Sequence, residues 1–395
     1  MRDLKIFYVY FHDTSFVPIH VSEIINEIQR RGREVHVFVC IKDRSTRSKL
    51  SARGIYVHNV WTIRAPFISE LVFMALLLPY LLVQTVIERP DIFYTRHSAT
   101  SLTVALIARL FRRPCLMEIN DIVLDKLQFS KISRIKTGWI QLYHYVNYHL
   151  ADLLLPVTEQ IALWARDRYA IGPEKVVVIP NGVNPRRFTP KPYLEARTRY
   201  HIPLGSRVVL SLGSLFPWAG IETLIASAPM VLGIYPNTLF VIGSGEEPYL
   251  SQLKKAVNQS KLRDRFWFFG FIPWEDASWF ISTSDICVAP FIFKRTRSGI
   301  SSLRVFSYLA CGKPVIGSDI PGLGDLLEKE RIGLSFPMGD HQALARAIID
   351  LLSSEEQLKE MGERGRDFVI RNHAWEIIVD KLEATFQELM GAKQG

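Results

Sequence analysis

Short apolar runs alternate with helix-length amphipathic stretches along almost the whole chain, and this alternation limits the fold more than any other feature. Ile6–Tyr10 is followed by the helical run Val21–Arg31, which Gly32 ends, and Glu34–Cys40 then reads as a strand. Asp91–Tyr94, Cys115–Ile119 and Leu153–Val157 read as further short strands with helices between them. Strands that are apolar on both faces and separated by helices build a parallel sheet covered on both sides. The rhythm restarts after residue 205, with Arg207–Leu212, the helix Ile221–Leu232, Thr238–Ile242, Phe266–Phe269, Ile286–Ala289, Pro314–Gly317 and Gly333–Phe336. The expected fold class is α/β, two Rossmann-like doubly wound units in tandem.

A chain of 395 residues has room for two such domains. The expected division is residues 1–190, then 191–374, with a C-terminal helix over about 375–395 packing back on the first unit. The join falls near Pro190–Pro203, a charged stretch with three prolines. It follows Pro180-Asn181-Gly182, where Asn-Gly reads as a tight turn because both residues tolerate positive φ. Ligands of open parallel sheets bind past the carboxyl ends of the strands. Two such sheets facing one another would form a deep cleft, suited to bringing two bulky substrates together.

The net charge of +9 is unevenly placed. Residues 1–190 hold 25 Lys+Arg against 16 Asp+Glu, and residues 191–395 hold 23 against 23. Besides a plain solvated surface, the basic half suits anionic lipid headgroups, phosphorylated acceptors or nucleic acid. No zinc-finger or RNP motif accompanies it, which argues against nucleic acid. The apolar run Leu71–Ile87 is marginal for a membrane span of about 20 residues and reads as a buried or membrane-facing helix. The aromatic and basic stretch Lys126–His149 suits a helix lying on a membrane surface. No secretory leader is read at Met1–Lys5, which runs straight into the first strand. Cys40, Cys115, Cys287 and Cys311 lack the spacing of a zinc site or disulfide framework and fit a reducing cytoplasm. Cys311 reads as a small packed residue rather than a reactive thiol.

Several motifs point to chemistry. Gly213-Ser214 and Ser301-Ser302-Leu303 each sit in a turn that opens a helix, where unpaired backbone N–H groups attract anions. Arg304 adds a fixed positive charge. Gly243-Ser244-Gly245 and Gly270-Phe271-Ile272-Pro273 each follow a strand. Glu118-Ile119-Asn120-Asp121 closes a strand, where polar side chains meet a ligand.

The string Val178-Ile179-Pro180-Asn181-Gly182-Val183-Asn184, then Phe188-Thr189-Pro190, resembles the hinge segment of the family 4 glycosyltransferases, which have the GT-B fold. Pro90–His97, Pro114–Asp121, Gly213–Gly220 and Ser301–Val315 resemble further segments of that family, in the right order and spacing. The resemblance implies a retaining transferase that moves a sugar from a nucleotide-diphosphate sugar to a hydroxyl acceptor, and the basic excess with the stretches Leu71–Ile87 and Lys126–His149 favours a lipid-linked or cell-envelope glycan as that acceptor. The cysteine usage, the basic first half and the two apolar or aromatic stretches together suggest a protein of the cytoplasm, peripheral on the inner face of the membrane, with no nucleic acid partner. No cofactor is implied beyond the co-substrate, and no Asp-x-Asp motif calls for a metal.

By the same resemblance the donor site comprises Gly213, Ser214, Gly243, Gly245, Gly270, Ile272, Ser301, Ser302, Leu303 and Ser307. Ser302, Leu303 and Arg304 would lie at the diphosphate, and Gly270 to Pro273 at the nucleobase. Asn120, Glu118 and Arg304 are the catalytic candidates, and His20, Arg96 and Asp121 the acceptor-binding ones. His20 could instead cap the first helix, and Asp121 a helix over Ile122–Leu127. Three positions depart from the family pattern. Ser307 stands where a glutamate usually holds the ribose, Ala219 where a histidine or lysine meets the phosphates, and Gly299 where a further glutamate is common. These departures leave a second reading open, an inactive relative acting as a binding or scaffolding subunit.

Overall fold

The computed structural model describes residues 4–11, 19–41, 48, 50–63, 68–98, 100–122, 134–243, 249–292 and 301–392. The chain divides into two compact units, Met1–Pro180 together with Trp375–Gly395, and Asn181–Ala374.

The first unit holds strands β1 (Lys5–Val9), β2 (Glu34–Val39), β3 (Tyr56–Asn59), β4 (Ile92–Arg96), β5 (Cys115–Ile119) and β6 (Leu153–Pro156), in the order β3-β2-β1-β4-β5-β6. Every neighbouring pair is parallel. The second holds β7 (Arg207–Leu212), β8 (Thr238–Gly243), β9 (Phe266–Phe268), β10 (Ile286–Ala289), β11 (Val315–Asp319) and β12 (Gly333–Pro337), in the order β12-β11-β10-β7-β8-β9. Its pairs are parallel too. With each unit's strands numbered from one to six, both sheets read 3-2-1-4-5-6. The strand order therefore reverses between β1 and β4 in the first unit and between β7 and β10 in the second. These reversals open a crevice past the strand ends, where such folds take ligands.

Parallel crossovers are right-handed, so helices on the two sides of the reversal cover opposite faces. On one face of the first sheet, helices Ile68–Glu88 and Ser101–Leu110 bury Phe73, Leu77, Leu81, Val104 and Ala108 against Phe7, Phe38 and Phe93. On the other face, Ile19–Arg30 packs with Trp375–Ala392. Arg31 Nη1 pairs with Asp380 at 2.6 Å, and Arg33 Nε with Glu383 at 2.8 Å. The second unit has a core on each face of its sheet, one around Phe280 and Tyr308 and the other around Leu224, Phe240 and Ile348.

Two expectations need correcting. The edge strand β3 escapes the sequence reading because Tyr-Val-His-Asn has no apolar run, and Tyr56 is exposed. Asn181-Gly182 is not a turn, and neither residue has positive φ. The polar groups of this segment are engaged elsewhere. The Asn181 N–H donates to Ser301 Oγ at 2.8 Å, its Nδ2 donates to the Ser301 carbonyl at 2.9 Å, and the Val183 N–H donates to the His373 carbonyl at 2.7 Å. Asn181 thereby ties the start of the second unit to Ser301.

All four cysteines are buried. Cys311 lies 3.7 Å from Ser278 Oγ, and burial pushes its thiol up to about 12, as it does that of Cys287.

His144 on helix Arg134–Leu150 is also buried, with Nδ1 3.2 Å from the Tyr169 hydroxyl. Burial, partly opposed by Asp121, lowers its pKa from 6.5 to about 4. Between those values the unfolded chain binds the proton and the native one does not, so stability falls as pH falls from 6.5 to about 4 and levels off below. The loss is expected to approach about 3 kcal/mol, at about 1.36 kcal/mol per pKa unit. His58, which burial also lowers to about 4, adds to the slope over the same range, so urea unfolding should show both contributions and His144→Gln should remove only that of His144.

Candidate functional site

In the second unit, β7 ends at Leu212 and runs into Gly213 at φ +136°, a backbone conformation that favours glycine. The Gly213 N–H donates to the Gly243 carbonyl at 3.1 Å. Tyr308 holds the strand end in place. Its hydroxyl accepts from the Leu212 N–H at 2.7 Å and donates to the Leu212 carbonyl at 2.8 Å.

Arg304 stands over this strand end. Its Nη2 donates to the Ser214 carbonyl at 2.9 Å, and its guanidinium lies 5.3 Å from the Phe291 ring centre, just past β10. A Cβ on Gly213 would lie 2.5 Å from Arg304 Nε, so only glycine leaves room for the guanidinium. Gly213, Ser214 and Arg304 thus meet at the β7–β10 reversal.

Arg304 belongs to helix Leu303–Ala310, for which Ser302 is the N-cap, its Oγ accepting from the Val305 N–H at 3.3 Å. The remaining N–H groups of this first turn have no intrahelical acceptor, and they carry the positive end of the helix dipole. Ser301 and Leu303 flank the cap, half-buried. Ser307 is 6% exposed and donates to the Leu303 carbonyl at 2.8 Å, inside its own helix. Gly243 leaves space for the Phe280 ring, which a Cβ would meet at 2.5 Å. Gly270 has φ +70°, Phe271 after it is 82% exposed, and Ile272 packs on the core. Ala219 is fully buried in the core, away from solvent. Gly245 and Gly299 lie outside the described residues.

In the first unit, the remaining candidates gather at the carboxyl ends of β4 and β5. Arg96 Nη1 donates to His20 Nε2 at 3.0 Å. A guanidinium can only donate, so Nε2 accepts and the ring proton is on Nδ1. His20 Nε2 is 3.8 Å from Glu118 Oε1. Glu118 is 4% exposed, and its carboxylate accepts from the Tyr94 hydroxyl at 2.8 Å and from Asn120 Nδ2. Arg96 also lies 5.5 Å from the Tyr10 ring centre. Burial works against its charge, but Glu118 and the nearby tyrosines outweigh burial and hold its pKa above the ordinary value. Asp121, half-buried, acts on Arg96 in the same direction. Whether Asp121 caps a helix over Ile122–Leu127 falls largely outside the described residues. Burial, with Glu118 nearby, keeps the phenols of Tyr8 and Tyr94 protonated far above their usual range. The Tyr8 hydroxyl is buried with no hydrogen-bond partner among the described residues.

Glu34, His36 and Glu88 form a group with metal-like spacing. It lies at the amino ends of the strands, and Lys5 Nζ already bridges its two carboxylates at 2.8 and 2.7 Å. An ammonium in that position does not suit a metal centre.

Tyr308, Phe291, Asn181 and Tyr94 shape these clusters, and sequence reasoning missed them. Asn181, Tyr94 and Tyr308 lie in segments that carry the family resemblance, but there they read as hinge or core positions rather than as site residues, and Phe291 reads as ordinary core. Only the two-residue spacing of Tyr94 and Arg96 along β4, which puts both side chains on one face, offered a signal.

Comparisons with known proteins agree with this architecture. Residues 17–187 match the family described as Glycosyltransferase Family 4, and residues 194–368 match Glycosyl transferases group 1. A GDP-mannose-dependent alpha-(1-6)-phosphatidylinositol monomannoside mannosyltransferase of Mycolicibacterium smegmatis is 29% identical over 223 residues, which is 54% of this chain and 58% of that protein. An amylovoran biosynthesis glycosyltransferase of Erwinia amylovora is 29% identical over 211 residues, 52% of this chain and 48% of that protein. The chain thus spans about half the length of the curated relatives it matches. Among solved structures, sucrose-phosphate synthase from Thermosynechococcus elongatus superposes with a TM-score of 0.79 at 20% identity, covering 98% of this chain and all (100%) of that one. The HepE protein of Anabaena, solved in complex with UDP, does so with a TM-score of 0.77 at 18% identity, covering 98% and 100%. At such identities the likeness is one of fold, and the fold is GT-B. With both family models matched in order along the two units, the chain belongs to the family 4, group 1 glycosyltransferases.

Proposed function

We propose that this protein transfers a sugar, with retention of configuration, from a nucleotide-diphosphate sugar to a hydroxyl of a lipid-linked or cell-envelope glycan. The donor binds the second unit and the acceptor the first, on the cytoplasmic side of a membrane, without a metal ion or other cofactor. The observation that carries the reading is the Arg304 guanidinium fixed against Gly213 and Ser214 at the β7–β10 reversal. A diphosphate gains negative charge as the sugar–phosphate bond breaks, and a preorganised guanidinium beside a helix N-terminus stabilises that charge most when it is greatest. Ser302 and Leu303 supply the helix start, with Ser301, Gly243, Gly245, Gly270, Ile272 and Ser307 around the remainder of the donor. In the first unit, His20, Arg96 and Asp121 take the acceptor. Asn120 faces the transferred sugar, held by Glu118. The names of the relatives support an envelope glycolipid or polysaccharide as product.

A screen of thermal stability over UDP-, GDP-, ADP- and TDP-sugars tests the reading. A donor held at 100 times its dissociation constant should add about 2.7 kcal/mol of stability. No shift with any donor at millimolar concentration would remove the donor site from this proposal.

A second reading is an inactive relative that keeps the fold as a binding subunit. Buried Ala219 and inward-bonded Ser307 favour it, since neither offers a charged group to the donor. It predicts donor binding without turnover to any acceptor or to water.

A further inference from the structure

The outer layer of the first unit carries an apolar surface that the transfer reaction does not use. Helix Ile68–Glu88 has no charged residue between Glu70 and Glu88. One side of it fills the core through Phe73, Leu77, Leu81 and Thr85. The opposite side exposes Leu71, Leu78, Val83, Val86 and Ile87, each at least 45% accessible. A helix of 21 residues is about 31 Å long, so this stripe is far longer than a stray surface leucine. It also continues sideways. Helix Ser101–Leu110 packs between Ile68–Glu88 and Arg134–Leu150 and exposes Leu106 and Leu110, and Arg134–Leu150 exposes Trp139, Leu142 and Tyr145. Another long helix of the same chain shows the ordinary alternative. On Glu355–His373, the exposed side is Glu355, Lys359, Glu363, Arg364, Asp367 and Arg371.

Basic residues edge the apolar layer at one end. Arg89 leads into β4, while Arg109, Arg112 and Arg113 lead into β5, the parallel neighbour of β4, so all four lie at the same edge of the sheet. None has an ion-pair partner among the described residues. The acidic residues of these helices do not meet the arginines, since Glu70 sits at the far end of Ile68–Glu88 and has interactions of its own. Glu88 is bound to Lys5, and Ser101–Leu110 and Arg134–Leu150 contain no acidic residue.

We propose that this three-helix layer docks on an anionic bilayer, with the apolar stripe entering the headgroup and acyl boundary and the four arginines meeting lipid phosphates. Exposed Trp139 and Tyr145 suit that depth, because amphipathic rings favour the membrane interface. A second copy of the same face would match the apolar part, but the carboxylates on its helices, Glu70 and Glu88, are already engaged within their own chain. The helix is long and apolar enough to cross a membrane. It nevertheless lies flat, because it is the crossover from β3 to β4 and its inner side is sealed into the sheet core. Lifting it out would expose Phe73, Leu77 and Leu81 and break the unit. The inference deepens the reading of a membrane-borne acceptor by naming the surface, and its test does not depend on that reading.

The full chain is floated with vesicles of phosphatidylcholine alone or mixed with phosphatidylglycerol, without substrate. Binding is expected on the anionic vesicles, weaker by about ten-fold or more on neutral ones and in high salt. The triple variant Leu78→Asp, Val83→Asp, Val86→Asp should lose binding while its melting temperature and nucleotide-sugar affinity stay unchanged, since all three side chains point outward. Arg89→Ser with Arg112→Ser should lose the preference for anionic lipid and keep the fold. Three results would overturn the proposal: no vesicle binding, resistance to carbonate extraction as of a spanning helix, or a solution dimer that the triple variant dissociates. Vesicle binding without sugar transfer would leave the docking intact and remove only the catalytic reading. Transfer to a soluble acceptor without vesicle binding would do the reverse.

Discussion

Arg304→Ala is expected to lower kcat/KM for transfer by about 100- to 1000-fold, the range seen when one preorganised donor to a developing anion is removed. The side chain is positioned by three contacts that do not involve substrate: the Ser214 carbonyl at 2.9 Å, the Phe291 ring at 5.3 Å, and the flat approach to Gly213. A charge fixed in advance needs no reorganisation during reaction, so its loss should fall mainly on kcat. Arg304→Lys should recover only part of the rate, because an ammonium cannot hold the Ser214 carbonyl and a phosphate oxygen in one plane. Gly213→Ala tests the same geometry from the other side. Its Cβ would displace the guanidinium and strain a backbone at φ +136°. Steady-state kinetics with the donor found in the stability screen decide the matter. An alanine variant with full turnover would take Arg304 out of the mechanism.

Arg197→Ala should be the most destabilising substitution in the second unit away from its ligand end, at about 3–5 kcal/mol. Arg197 is fully buried in helix Tyr193–Arg199. Its Nη2 pairs with Asp285 at 2.9 Å, Nε donates to the Thr283 carbonyl at 3.0 Å, and Nη1 donates to the Ser206 carbonyl at 2.7 Å. The guanidinium also lies 4.1 Å from the Tyr193 ring centre. Truncation would strand several carbonyls and the largely buried Asp285 at once. At about 2–4 °C per kcal/mol for a unit of this size, the melting temperature should drop by about 10 °C. Calorimetry reads this directly. Arg197→Met should cost less than Arg197→Ala, because it refills the volume while removing the same charge.

Arg197 also shows where sequence reading stops. The stretch Pro190–Pro203 reads as a charged, proline-rich join, but it holds a short helix anchored by a buried arginine. Nothing in Tyr-Leu-Glu-Ala-Arg-Thr-Arg says which arginine is inside. That choice depends on Asp285, almost ninety residues away, meeting it in space. The exposed apolar layer was partly legible in the same way. The run Leu71–Ile87 announces its apolarity, but its extension onto Leu106, Leu110 and Trp139 follows only from the order of the strands.

The linear pattern alone settled the α/β alternation, eleven of the twelve strands among the described residues and the family motifs, because apolar periodicity and glycine placement are local properties of the chain. It also singled out Gly213 and Arg304 as candidates for an anion site. Tertiary structure decided what those residues touch. It set the guanidinium against Gly213, enclosed Glu118 among Tyr94, Asn120 and Arg96, and turned Ser307 back into its helix. Hydrogen bonds and ion pairs of this kind join residues far apart in the chain, so their partners are chosen by the crossing of strands and helices and leave no mark on local composition.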